Sequence, residues 1–112
     1  MPVDELLQAL KAVAEPTRLR VLELLMSWEG PRTGPLRAGE RGLCLRDLEL
    51  LVGLRHALVS HHLRILKEAG VVESEKRGRW TVYRACPEPL ARIAHRLAGL
   101  AAPPAGPDSR AA

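Results

Sequence analysis

Residues 43–85 read LCLRDLELLVGLRHALVSHHLRILKEAGVVESEKRGRWTVYRA, and the pattern of this stretch decides the fold. Leu45, Leu48, Leu51 and Val52 repeat at helical spacing over 45–52. Asp47 and Glu49 lie near the start of that helix, where its dipole favours acids, and Gly53 ends it. A second helix is predicted from about 55 to 69, closed by Gly70. On this helix Val59, Leu63 and Leu66 share one side and would root it in a core. His56, Ser60, His61 and Arg64 share the other, and each can hydrogen-bond to a base edge or a phosphate. Arg55 stands at the helix start, where a cation opposes the dipole and Ser or Asp would cap better; a residue set against local preference points to function. The period then changes. Val71, Val72, Trp80, Thr81, Val82 and Tyr83 surround the polar run ESEKRGR, which predicts a hairpin with Lys76, Arg77 and Arg79 around Gly78 at its tip. Two helices joined by a tight turn let the second protrude into a major groove, and a basic β-finger can follow a phosphate backbone or enter a minor groove. The candidate DNA-binding set is therefore Arg55, His56, Ser60, His61, Arg64, Lys76, Arg77 and Arg79.

Upstream, Val3, Leu6, Leu7, Leu10 and Val13 mark an amphipathic helix over 3–14, with Pro2 at its first turn. Pro16 opens another, 16–28, apolar on most sides and so expected in the middle of the domain. Residues 29–42, EGPRTGPLRAGERG, break every period and read as a mobile loop. Arg32, Arg37 and Arg41 within it could meet DNA or a partner, although a tolerated surface insertion is the simpler reading. Downstream, Pro87 and Pro89 open a last helix with Leu90, Ile93, Ala94, Leu97 and Leu100 on one stripe. Residues 101–112, AAPPAGPDSRAA, carry no stripe and read as a disordered tail. One domain over 1–100 follows, mainly helical with a small β-hairpin, an α+β arrangement.

The 112 residues suffice for one domain. Hydrophobic residues make up 46% and aromatics only 3%, with no Phe, so Leu, Val and Ala must fill the core, which suits packed helices. Two cysteines make no disulfide framework, and nothing resembles a signal peptide, so the cytoplasm is expected. No apolar run reaches the roughly 18 residues of a membrane span. Seventeen Lys and Arg against 13 Asp and Glu give +4 overall. Residues 55–84 hold seven basic and three acidic side chains, so the whole excess sits on the candidate reading surface.

VSHHLRILKEAGVV, then KRGRWTVYRA, together with the LxxxDL pattern of Leu43 to Leu48 and the segment AEPTRLRVLELL, resemble the ArsR/SmtB family of winged helix-turn-helix repressors over roughly residues 3–100. The resemblance implies a homodimer in which the first and last helices pair, presenting two reading helices to a palindromic operator on double-stranded DNA. The apolar stripes of those helices agree, since they lack obvious cover in so small a domain; Leu6, Leu10, Leu90, Ile93 and Leu97 are the expected interface. The reading helices would meet major grooves about 34 Å apart. Family members join the second and third helices in a few residues, and the 29–42 segment is much longer.

Members of the family often release DNA on binding a metal or thiophilic ion. Their arsenic-type site lies in a motif like ELCVCDL; here the residues are GLCLRDL, with Cys44 at the first ligand position and Arg46 at the second. Thiophilic and zinc sites need more ligands than one thiol beside a guanidinium. The family's other site, on the last helix, is matched here only by Glu88 and His95. No cofactor is therefore assigned, and the effector is open. Cys44 and Cys86 are read as small buried hydrophobes, with a redox or metal-sensing pair as the alternative, since Arg46 could lower the Cys44 pKa. His61 and His62 diverge by about 100° on a helix and do not chelate; His62 is expected inward and His61 outward. The function so read is a sequence-specific DNA-binding transcriptional repressor, released by a small ligand, metal or redox signal if by anything. The alternative is a winged-helix protein-interaction module that does not read DNA. No phosphate loop, nucleophile triad or carboxylate cluster marks an enzyme.

Overall fold

The computed structural model describes residues 2–103. Its elements run α1 (Val3–Val13), α2 (Pro16–Ser27), β1 (Leu43–Cys44), α3 (Leu45–Val52), α4 (His56–Glu68), β2 (Val72–Arg77), β3 (Trp80–Ala85) and α5 (Pro87–Ala101). Local chemistry sets these boundaries. Glu15 caps α2 by accepting the Arg18 N–H at 2.7 Å, and Pro16 takes the first helical position, where its missing N–H is harmless. Gly53 closes α3 at φ 70°, a left-handed turn that costs a Cβ-bearing residue and that swings α4 away from α3. At the far end of α4 the Val71 and Gly70 N–H groups reach back to Leu66 and Lys67 carbonyls at 3.1 and 3.0 Å, the paired bonds of a Schellman motif.

Val59, Leu63 and Leu66 are buried, as the α4 periodicity required, and join Val21, Leu22, Leu24 and Leu25 of α2, Leu48 of α3, and Leu43, Val71 and Val72 in one core. Each such side chain contributes about 1.5–3 kcal/mol on full burial. Leu19 departs from the reading of α2 as enclosed: it is exposed on the flank facing the end of α1 and the start of α5.

The sheet differs from a plain hairpin. β1 pairs antiparallel with β3, Leu43 opposite Tyr83 and Cys44 opposite Val82, so the order is β1-β3-β2. Cys44 and Val82 are both buried, yet both lie outside the main core. They lie on the opposite sheet face from Leu43 and Tyr83, because alternate residues of a strand face opposite ways.

The 29–42 segment has no regular structure, as expected, but it is bound down rather than loose. Thr33 donates its N–H and hydroxyl to the buried Asp47 carboxylate at 2.7 and 2.9 Å. Asp47 is thus turned to the loop and not merely to the α3 dipole. Arg32 donates to the carbonyls of Glu40 and Gly42 (2.5 and 3.2 Å) within the segment, and Arg41 to that of Met26 in α2 (2.5 Å), so these two arginines hold the segment in place.

The expected dimer residues differ in how far the protomer itself covers them. Leu6 and Ile93 are buried in the protomer's own core, 8% and 7% exposed, because α1 and α5 pack on the body and partly cover each other's stripes. Leu10 and Leu90 are half-buried against that core, and only Leu97 of the five is open. The large apolar side chains these helices leave exposed are Val3, Leu7, Leu97 and Leu100. The tail reading fails at its first residue, since Ala101 still belongs to α5, and residues 104–112 lie outside the described residues.

Candidate nucleic-acid interface

The first turn of α4 carries no side-chain cap: Arg55 occupies the capping position with extended backbone, and its carbonyl accepts the Leu58 and Val59 N–H groups at 3.1 Å each. Beyond it His56, His61 and Arg64 are exposed and Ser60 is half-buried, all on the side opposite Val59 and Leu63. These side chains hold one another in place. Arg64 donates to His61 Nδ1 at 3.2 Å, and Ser60 Oγ lies 3.4 Å from His56 Nε2. His56 Nδ1 bonds Glu49 of α3 at 2.5 Å, which ties the two helices of the turn together across their outer side. The face therefore offers donors and acceptors at helical spacing, as major-groove recognition requires.

His62 points inward, as expected. Its Nδ1 accepts from the Arg18 guanidinium at 3.2 Å, and Arg18 also donates to the Ala12 carbonyl at 2.5 Å. One arginine of α2 thereby joins the end of α1 to the reading helix.

The hairpin stands beside α4, with Lys67 donating to Ser74 Oγ at 2.7 Å. Lys76 and Arg79 are exposed near its tip. Arg77, grouped with them on sequence, is set apart. It donates to both oxygens of Glu40 (3.0 and 2.6 Å) and both oxygens of Glu75 (3.0 and 3.1 Å). Hydrogen bonds from Arg77 hold the Glu40 carboxyl down at about 2, and bonds from Arg77 and Arg84 do the same for Glu75. Arg77 is thus half-buried in a carboxylate cage and is not presented with Lys76 and Arg79. Nothing in the local sequence pointed to Glu40, 37 residues away.

The cysteines do not form a pair within the chain. Cys44 lies opposite Val82, and Cys86 follows four residues further on, roughly 13 Å along an extended strand, well beyond the reach of a disulfide. Cys44 is 1% exposed and its Sγ lies 3.4 Å from the Thr33 carbonyl. Burial, then the Asp47 charge, pushes its pKa up, which corrects the idea that Arg46 activates it. Burial followed by the Glu73 charge also raises Cys86. Among the described residues no three His, Cys, Asp or Glu side chains gather as metal ligands, and Cys44 with a guanidinium neighbour does not fit a thiophilic ion.

Residues 36–74, which span α3, the turn and α4, match the model of the bacterial regulatory protein arsR family. The HTH-type transcriptional repressor SmtB of Mycobacterium tuberculosis is 34% identical over 96 residues, 82% of this chain and 62% of that protein. An HTH-type transcriptional regulator of Methanocaldococcus jannaschii is 34% identical over 73 residues, 65% of this chain and 68% of its own length. This chain belongs to the ArsR family.

Among solved structures, the homodimeric winged helix-turn-helix DNA-binding domain of a possible ArsR-family regulator from Mycobacterium bovis superposes with a TM-score of 0.63 at 26% identity, covering 88% of this chain and 80% of that one. The α3–α4 unit is accordingly the helix-turn-helix of this ArsR-family chain, and β2–β3 is its wing. The chain spans less than two thirds of the SmtB repressor's length.

Proposed function

We propose that this ArsR-family chain is a sequence-specific DNA-binding transcriptional repressor that works in the cytoplasm as a homodimer on a palindromic operator. The observation that carries the reading is the division of α4. Its apolar side is locked in the core, and its polar side, from Arg55 to Arg64, stands open beside a wing bearing Lys76 and Arg79. Residues up to about 100 serve as one reading and pairing domain. Arg55, His56, Ser60, His61 and Arg64 take the major groove, and Lys76 and Arg79 take phosphate or minor-groove contacts. The mycobacterial structure named above is described as a homodimer, which supports the pairing. Val3, Leu7, Leu97 and Leu100 are the apolar side chains that a second copy would cover.

Binding to duplexes from the region upstream of the chain's own gene tests this directly. The wild-type protein should bind one such duplex far more tightly than scrambled DNA, with affinity falling steeply as salt rises. Arg64→Ala should cost about 1–3 kcal/mol and relax preference at a base position. Lys76→Ala with Arg79→Ala should weaken all duplexes alike. A protein with no preference for any duplex, and indifferent to all three changes, would be an interaction module instead.

A further inference from the structure

The 29–42 segment and the wing are built into each other. β2 alternates, so Val72, Ser74 and Lys76 share one face while Glu73, Glu75 and Arg77 share the other. Ser74 receives Lys67 of α4, which fixes the first face as the side of the reading helix. Arg77 is therefore on the face opposite Lys67, and Trp80, its cross-strand partner, shares that face. The loop covers that second face. Gly34 lies so near it that a Cβ there would stand 2.4 Å from Cys44 Sγ and 3.0 Å from the Trp80 ring, and its φ of +83° already disfavours any other residue. Glu40 grips Arg77 through two bonds and is itself steadied by the Arg37 N–H at 2.8 Å. Arg77 also reaches the Pro35 carbonyl at 3.3 Å. At the other end Thr33 is pinned to Asp47, the first-turn acid of α3. The segment thus spans from the helix-turn-helix to the wing, and its two ends are fixed by charge-assisted bonds.

We propose that residues 29–42 form a strap that holds the wing on the face opposite Lys67, and that Glu40 and Arg77 are its positioning pair. Arg77 sets the hairpin for DNA through Glu40, while Lys76 and Arg79 touch the phosphates. The strap supplies packing to the outer part of the hairpin, where Lys76–Thr81 and Arg77–Trp80 pair beyond the reach of β1 and only two strands remain, an arrangement marginal in water by itself. The DNA half of this inference rests on the function proposed above; the strap itself does not.

A double-mutant cycle on the full chain tests both halves. Glu40→Gln, Arg77→Gln and the double variant are compared, with thermal melting to show that each folds. Amide hydrogen exchange over 72–85, without DNA, should speed up in each single variant, and the double should be no faster than the singles. Duplex affinity should fall about 2- to 5-fold in Arg77→Gln, as suits an ion pair of this exposure. The slope of log affinity against log salt should stay unchanged, whereas Lys76→Gln should reduce it by about 0.9. Unchanged exchange in Glu40→Gln would overturn the strap. Arg77→Gln with native exchange and a slope reduced like that of Lys76→Gln would make Arg77 a phosphate contact and overturn its positioning role. Should the wild type bind no duplex, the proposed function fails, and the exchange cycle still decides the strap.

Discussion

Cys44 shows what a single residue gains from its cover. Its thiol is enclosed by β3, by Thr33 and by Gly34, and burial raises its pKa, so both access and thiolate fraction are low. Cys86 has a raised pKa too, but it is only half-buried at the start of α5. Iodoacetamide should therefore label Cys86 well before Cys44 in the folded protein, by about tenfold or more in rate, and the difference should vanish in denaturant. Mass spectrometry of the labelled peptides reads this; Cys44 reacting first would show that the 33–34 cover opens freely. The sequence made both thiols plausible as buried residues. It could not show that Arg46 fails to activate Cys44, because the shift depends on burial beneath a distant loop. The same limit hid Glu40. Hydrophobic period places residues on faces, but a carboxylate partner 37 residues away leaves no periodic mark.

At the level of elements, the helices were legible and the third strand was not. α1 to α5 each carry an apolar stripe, a Pro near the start or a Gly at the end, and those signals act within a few residues. β1 is two residues long and exists only because Leu43 and Cys44 meet β3 some 40 residues on. The anchoring of the loop is hidden for a related reason: its composition is that of a free segment, while its anchors, Asp47 and Arg77, belong to other elements. The anchoring has a pH signature. Glu40 and Glu75 are lowered from an ordinary 4.5 to about 2, chiefly by hydrogen bonds from Arg77. A carboxyl lowered on folding adds stability above its unfolded value and loses it as pH falls through the folded one. The link between strap and wing should thus hold above about pH 4.5 and be lost between there and about pH 2. Trp80 fluorescence in a Trp28→Phe background should report this, since the ring lies against Gly34. Glu40→Gln should flatten that acid transition, and an unaltered transition would show that other carboxyls govern it.

For the whole molecule the question is which apolar surface the protomer buries itself and which it leaves for the proposed second copy. Sequence alone assigned the stripes of α1 and α5 entirely to the interface, because a stripe does not state which neighbour covers it. The structure divides them: Leu6 and Ile93 face inward, while Val3, Leu7, Leu97 and Leu100 remain open, Leu100 at 84% exposure. On α2 Leu19 is also exposed, beside a groove of about 550 Å³ lined by Val13, Leu22, Met26 and Leu90. This division separates two kinds of substitution. Leu6→Glu or Ile93→Glu buries a charge in the protomer and should unfold it, a cost well above the usual 0.5–3 kcal/mol of point changes. Leu7→Glu with Leu97→Glu should leave helix content and thermal melting of the protomer nearly intact and yield monomers in sedimentation. Those monomers should bind a single half-site as weakly as before and lose on the order of 100-fold or more on the full palindrome, since two linked reading helices give avidity that one cannot. If the double variant sedimented as a dimer, the pairing surface would lie elsewhere. If it became monomeric yet kept full affinity for the palindrome, the symmetry argument for two reading helices one turn of DNA apart would fail, even with the α4 face correctly assigned.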